Sequence, residues 1–272
     1  MKLRTVVTLI AVFALIMFVQ ILRAQDTREI EKTIALDKNG HVSVDTYKGS
    51  IDVDTWDKPE VKVYVRIEPD GFTREDRESA RRTEIRFDSS SSGLRIETDY
   101  HEMHHDWNVF DWFDDGDGNR ALVHYTITMP AGARLTVKDY KSETKISHLH
   151  ADVEMNTYKG DVTIEELSGA ADFETYKGDV RISYARISGE NRIKNSKGKV
   201  TLELPADAGF TVNADFGRRT EFTSDFDGIE QQHSRRNEFI GGKVNDGSAS
   251  IDLDSDKGDF QILKKKKAAS GD

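Results

Sequence analysis

Thr157-Tyr158-Lys159-Gly160-Asp161-Val162 returns eighteen residues later as Thr175-Tyr176-Lys177-Gly178-Asp179-Val180. A close copy stands earlier, as Thr46-Tyr47-Lys48-Gly49-Ser50-Ile51. Weaker copies are Asp139-Tyr140-Lys141-Ser142, Asn195-Ser196-Lys197-Gly198-Lys199-Val200 and Asp256-Lys257-Gly258-Asp259-Phe260, with Asp215-Phe216-Gly217 at the margin. Taking the tyrosine as phase mark places it at 140, 158, 176, 196, 216 and 256. The steps are 18, 18, 20, 20 and 40, the last read as two rungs of 20. A period this short is one turn of a β-solenoid, since helical-pair repeats need more than about 30 residues.

Alternation on either side of the motif marks strands with one face inward. Before the corner the inward positions are Val153, Met155 and Thr157, then Ala171, Phe173 and Thr175, then Asn191, Ile193 and Asn195. After it they are Val162 and Ile164, Val180 and Ile182, Val200 and Leu202. Inward parity therefore changes across the turn, which needs an irregular residue. Glycine supplies it through positive φ, so Gly160, Gly178 and Gly198 read as corners. A phosphate loop would need a helix next, and a strand follows instead.

Stacking puts like residues about 4.8 Å apart. Lys141, Lys159, Lys177 and Lys197 then form one column, and Glu143, Asp161 and Asp179 its neighbour. Tyr140, Tyr158 and Tyr176 form a third, facing outward. These three are the candidate ligand-binding residues, for a glycan or peptide. The plainer role is ring stacking that braces the corner.

Elsewhere the pattern divides the chain into 28–130, a β-rich N-terminal region, 131–263, the solenoid repeats, and 264–272, a basic tail. Val61–Ile67, Thr83–Phe87, Leu94–Thr98 and Ala121–Met129 read as strands, and Thr73–Thr83 as a short surface helix. Residues 100–120 interrupt the pattern. His101, His104, His105 and Asp106 offer zinc or copper ligands. Asp115, Asp117 and Asn119 begin a calcium-loop spacing, but Arg120 replaces its glycine and Thr126 its final glutamate. Lys264–Lys267 follows the last strand and offers a contact to anionic lipid or polysaccharide, although the commoner role of such a run is to blunt a sheet end.

The first residues are a different material. Lys2 and Arg4 precede the apolar run Val6–Val19, and Ala24–Gln25 suits signal-peptide cleavage. Residues 1–24 therefore read as a signal peptide, or an N-terminal anchor if uncleaved, which would be the only membrane contact. Removing them leaves 36 Lys and Arg against 49 Asp and Glu, a net charge of −13. Nucleic acid is excluded as a partner by that balance. There is no cysteine and no Asn-x-Ser/Thr sequon in the 272 residues. Together these point to an exported bacterial protein, in the periplasm or on the cell surface.

The chain resembles the exported β-strand-repeat proteins known as putative adhesins, a family of unknown function in the bacterial envelope. Three segments carry the resemblance: Asp54-Thr55-Trp56-Asp57-Lys58-Pro59-Glu60-Val61-Lys62-Val63, Val123-His124-Tyr125-Thr126-Ile127-Thr128-Met129-Pro130-Ala131-Gly132-Ala133, and the Gly-Asp-Val corners from 140 onward. They cover most of residues 30–263. Tyr-Lys-Gly stands where the family often has Ser-Gly, and the His/Trp/Asp insertion is a further departure. The resemblance implies an all-β, right-handed parallel β-solenoid and no catalytic residues.

The function expected is a non-catalytic envelope protein, adhesin-like or a scaffold or sensor, presenting a repetitive binding surface. It needs no cofactor. Its partner is an envelope protein or glycan, and the exposed ends of the stack invite self-association. The alternatives are an exported metal-binding protein using the histidine insertion and a β-helix carbohydrate-active enzyme. The sequence displays no Ser/His/Asp arrangement, nucleophile elbow or cysteine nucleophile.

Overall fold

The computed structural model describes residues 26–101, 119–233 and 237–265. Among the described residues the fold is all-β with one helix. The strands are β1 (Arg28–Ala35), β2 (His41–Asp45), β3 (Lys48–Trp56), β4 (Glu60–Glu68), β5 (Glu84–Ser89), β6 (Gly93–Asp99), β7 (Leu122–Pro130), β8 (Arg134–Ser147) and β9 (Val153–Lys159). They continue as β10 (Val162–Leu167), β11 (Ala171–Lys177), β12 (Val180–Tyr184), β13 (Glu190–Asn195), β14 (Lys197–Leu204), β15 (Phe210–Ser224), β16 (Ile229–His233), β17 (Asn237–Val244) and β18 (Ala249–Lys264). The helix α1 spans Arg74–Arg82. Thr73 caps it by accepting from Asp76 N–H, and the Asp76 carboxylate accepts from Thr73 N–H in return.

Strands pair side by side in two parallel ladders. One runs β6, β2, the first half of β8, β9, β11, β13, then the first halves of β18 and β15. The other runs β7, β3, the second half of β8, β10, β12, β14, then the second halves of β18 and β15. Each rung is thus a strand, a corner and a strand. Successive repeats meet in register: Val162 pairs with Val180 and Val180 with Val200. Antiparallel strands finish both ends, with β5 on β6, β4 and β1 beyond β7, and β17 and β16 beyond β15.

The inward positions named from the alternation are all buried. Like stacks on like: Val137, Met155, Phe173, Ile193 and Leu253 form one interior file, and Ile146, Ile164, Ile182, Leu202 and Ile262 another. Apolar area is removed from water on every rung at about 25 cal/mol per Å². With no disulfide available, that burial and the ladder hydrogen bonds hold the chain together.

The stacking order departs from chain order at both ends. β2 and β3 lie between β6–β7 and β8, so the ladder runs through residue 130 without a break. β18 slides between β13–β14 and β15. The expected two rungs of 20 between 216 and 256 are therefore absent. Residues between them instead supply the antiparallel pair β16–β17. The phase mark at Phe216 is also corrected. Phe216 pairs with Ser255, an inward position, and is fully buried against Phe260 with ring centroids 4.7 Å apart. A bulge between Phe216 and Arg219 then restores the corner phase.

Candidate binding surface

At the corners from 139 onward the residue between the inward one (Asp139, Thr157, Thr175 or Asn195) and the lysine points outward, and stacking aligns these residues. Tyr140 and Tyr158 stack with centroids 4.8 Å apart, and Tyr158 and Tyr176 with centroids 4.9 Å apart at an interplanar angle of 6°. The column starts one rung earlier than the repeat from 140 onward suggested. Tyr47 stacks on Tyr140 at 4.5 Å and is itself buried. Cations close both ends. The Arg120 guanidinium lies 4.2 Å from the Tyr47 centroid and the Lys197 ammonium 4.6 Å from that of Tyr176. Lys197 also donates to the Tyr176 hydroxyl at 2.7 Å, which holds that phenol below its ordinary pKa. Burial among its neighbours pushes the Tyr158 phenol up.

A stacked ring has both faces occupied. Flat stacking of a sugar on Tyr140 or Tyr158 is therefore blocked, and what the column offers a partner is ring edges and hydroxyls repeated at every rung. The glycine corner beside it is equally close-packed. Gly160 sits at φ 136° and Gly178 at 157°, and a Cβ on Gly160 would fall 2.0 Å from the Ser142 carbonyl oxygen. Only glycine lets the rungs approach this closely.

A rung ladder with outward aromatic corners, closed by antiparallel strands, runs through the described chain. The family model described as Toastrack DUF4097 matches residues 13–263. The chain belongs to that family. No curated protein matches this Toastrack sequence. Among solved structures, it is similar to a putative cell adhesion protein from Clostridium sporogenes. Identity is 13% over 88% of this chain and 100% of that one, with a TM-score of 0.48. It is also similar to a putative adhesin from Bacteroides fragilis, at 13% identity over 88% and 97% with a TM-score of 0.39. Membership rests on the family match rather than on these two structures.

Beside the tyrosines, the Toastrack ladder carries the two charged files expected from the repeat. The acids do more than balance lysine. Asp161 accepts from the Asp179 backbone N–H, and Asp179 from that of Lys199, each at 2.9 Å. Lys48 is buried and bonded to Asp70 at 2.6 Å, a pair no sequence spacing announced. A groove of about 720 Å³ follows this corner, lined by Lys48, Ser50, His124, Lys141, Lys159 and Lys177 among others.

The structure also brings together a Ser–His–acid relay that the sequence reading missed. Ser50 Oγ lies 2.8 Å from His124 Nδ1, and His124 Nε2 lies 3.2 Å from Glu68 Oε1. Adjacent strands β3 and β7 create it, since Ser50 pairs with His124. Its chemistry is incomplete. β3 lies between β7 and β8, so ladder partners take the amides around Ser50 and leave no pair to hold an oxyanion. Glu68 also pairs with Arg66 at 3.2 Å.

Of the histidine insertion, His101 is exposed and lies 3.4 Å from Glu84. His104, His105, Asp106, Asp115 and Asp117 lie outside the described residues, as do residues 1–24, expected to be a signal peptide. Among the described residues no group of three or more His, Asp or Glu is placed to hold a metal ion. No helix among them is long and apolar enough to cross a membrane. In the basic tail, Lys264 sits over Phe226 and Lys265 bonds Glu166 at 2.5 Å.

Proposed function

We propose that this protein is a non-catalytic, adhesin-like component of a bacterial envelope that binds along the face carrying Tyr140, Tyr158 and Tyr176. The observation that carries this reading is the tyrosine column itself. It repeats the same phenol along one axis, with ring centroids 4.8 and 4.9 Å apart, which suits an extended partner rather than a small substrate. The partner is a glycan or an envelope protein. Residues 1–24 act as the export signal and place the chain in the periplasm or on the cell surface. The ladder coils right-handed, the sense that about 98% of parallel crossovers take.

The test is capture from a solubilised bacterial envelope by the immobilised full-length chain, in EDTA and with added zinc or calcium. The informative variant is Tyr140→Phe/Tyr158→Phe/Tyr176→Phe, which keeps the stack and removes the hydroxyls. Recovery of one glycan or one envelope protein, lost in this variant, is the expected result. Recovery unchanged in the variant would overturn the reading, and recovery only with added metal would move the site to the histidine insertion.

A further inference from the structure

Six cationic residues form one unbroken file across six rungs. Lys141 pairs with Lys159, and Lys159 with Lys177. The Lys197 carbonyl accepts from Gly178 N–H and carries the file onward. Lys197 then pairs with Lys257, and Lys257 with Arg219. All six are half-buried or exposed. At a rung spacing of about 4.8 Å the file runs about 24 Å. Lys48 continues it inward, but is buried against Asp70.

The corner does not require this charge. Like charges stacked at rung spacing repel, and an uncharged side chain would cover the tyrosines as well. The aromatic contacts of these lysines are to neutral rings: Lys159 lies 5.0 Å from the Tyr158 centroid, and Lys197 caps Tyr176. A neutral ring does not cancel the ammonium charge of Lys159 or Lys197. In the neighbouring acidic file, Asp161 and Asp179 each commit an oxygen to a backbone amide. The whole chain carries a net charge of −10, so a basic file this long runs against its composition.

We propose that the file is the binding line for a linear acidic polysaccharide lying along the stacking axis. Its carboxylates would meet the lysines, and its hydroxyls the tyrosine file alongside. The proposal rests on the tyrosine-face reading and adds the ligand class. One narrow file of charge matches one polymer chain. A nucleic-acid duplex presents two phosphate files and would face the acidic remainder of the surface.

The test measures binding of polygalacturonate, neutral dextran and duplex DNA to the full-length chain at rising NaCl, with Lys159→Gln/Lys177→Gln/Lys197→Gln as the variant. Polygalacturonate alone should bind, weakening steeply with salt, and the variant should lose about tenfold or more in affinity. Should the triple variant not fold, Lys177→Gln, at an exposed position, should still lose about threefold. Equal binding of dextran, tighter binding of DNA, or no loss in the lysine variants would overturn the proposal. Envelope capture separates the two ideas. If the phenylalanine variant loses the envelope partner while the lysine variants keep it, the tyrosine reading stands and the polyanion line falls.

Discussion

A Cβ on Gly178 would fall 2.0 Å from the carbonyl oxygen of Gly160, one rung away. Backbone meets backbone there, so no side chain can move aside. The positive φ of 157° adds strain for any L-residue. Gly178→Ala should therefore cost about 3 kcal/mol or more, far beyond a usual glycine-to-alanine change. Urea unfolding would measure it. A loss under about 1 kcal/mol would mean the rungs are not this close.

Lys48 and Asp70 make an unequal pair, with side chains 3% and 41% exposed. Removing the acid strands a buried ammonium, whereas removing the lysine leaves a carboxylate that water can reach. Asp70→Ala should cost about 3 kcal/mol or more, and Lys48→Met about 1 kcal/mol. Thermal and urea unfolding of both variants give the order, and the reverse order would refute the assignment.

Asp139 is fully buried on the rung where neighbours carry threonine. One carboxyl oxygen accepts from Ser142 N–H at 3.0 Å and Thr157 Oγ1 at 2.9 Å. Burial raises its pKa to about 8 despite those bonds. The folded state therefore holds a proton that the unfolded chain releases near 3.8. Its contribution is fully present below about pH 4 and is lost as pH rises to about 8, at about 1.4 kcal/mol per pH unit. Asp139→Asn keeps the accepting oxygen and removes the titration. The stability difference, variant minus parent, should grow between pH 5 and pH 8 and level off above about pH 8. A flat difference would show that Asp139 does not carry the proton.

Ser50 should be unreactive despite its hydrogen bond to His124. Without an oxyanion site the relay is a cross-strand polar contact, and Ser50→Ala should change stability by about 1 kcal/mol or less. A fluorophosphonate probe with mass-spectrometric readout checks this. Stoichiometric labelling of Ser50 would make the chain a hydrolase.

Much of the ladder was legible because a strand's pleat has period two and a rung returns every 18 or 20 residues. Val153, Met155 and Thr157 had to face inward together, and Tyr140, Tyr158 and Tyr176 outward together. What alternation cannot carry is which distant rung becomes the neighbour. The insertion of β18 beside β14 depends on contacts far apart in sequence. Phe216 was misplaced for a related reason: its bulge shifts the phase without breaking the apolar alternation. Tyr47 belongs to the column through pairing of β3 with β8, which local sequence does not announce. Ser50, His124 and Glu68 sit on three strands, so only the assembled sheet joins them.

The outer end of the tyrosine column can be watched directly. Lys197 donates to the Tyr176 hydroxyl and lowers that phenol, whereas burial raises Tyr158, Tyr125 and Tyr184. Tyr176 should thus ionise before these three in an ultraviolet or NMR titration. Lys197→Met keeps the side-chain stem over the ring and deletes the charge, so it should move the Tyr176 transition upward and leave the buried tyrosines where they were. The same variant removes one charge from the cationic file. A Tyr176 that titrates with Tyr158 in the parent would mean that the lysine does not cap the stack, and the outermost ring face would then be open to a ligand.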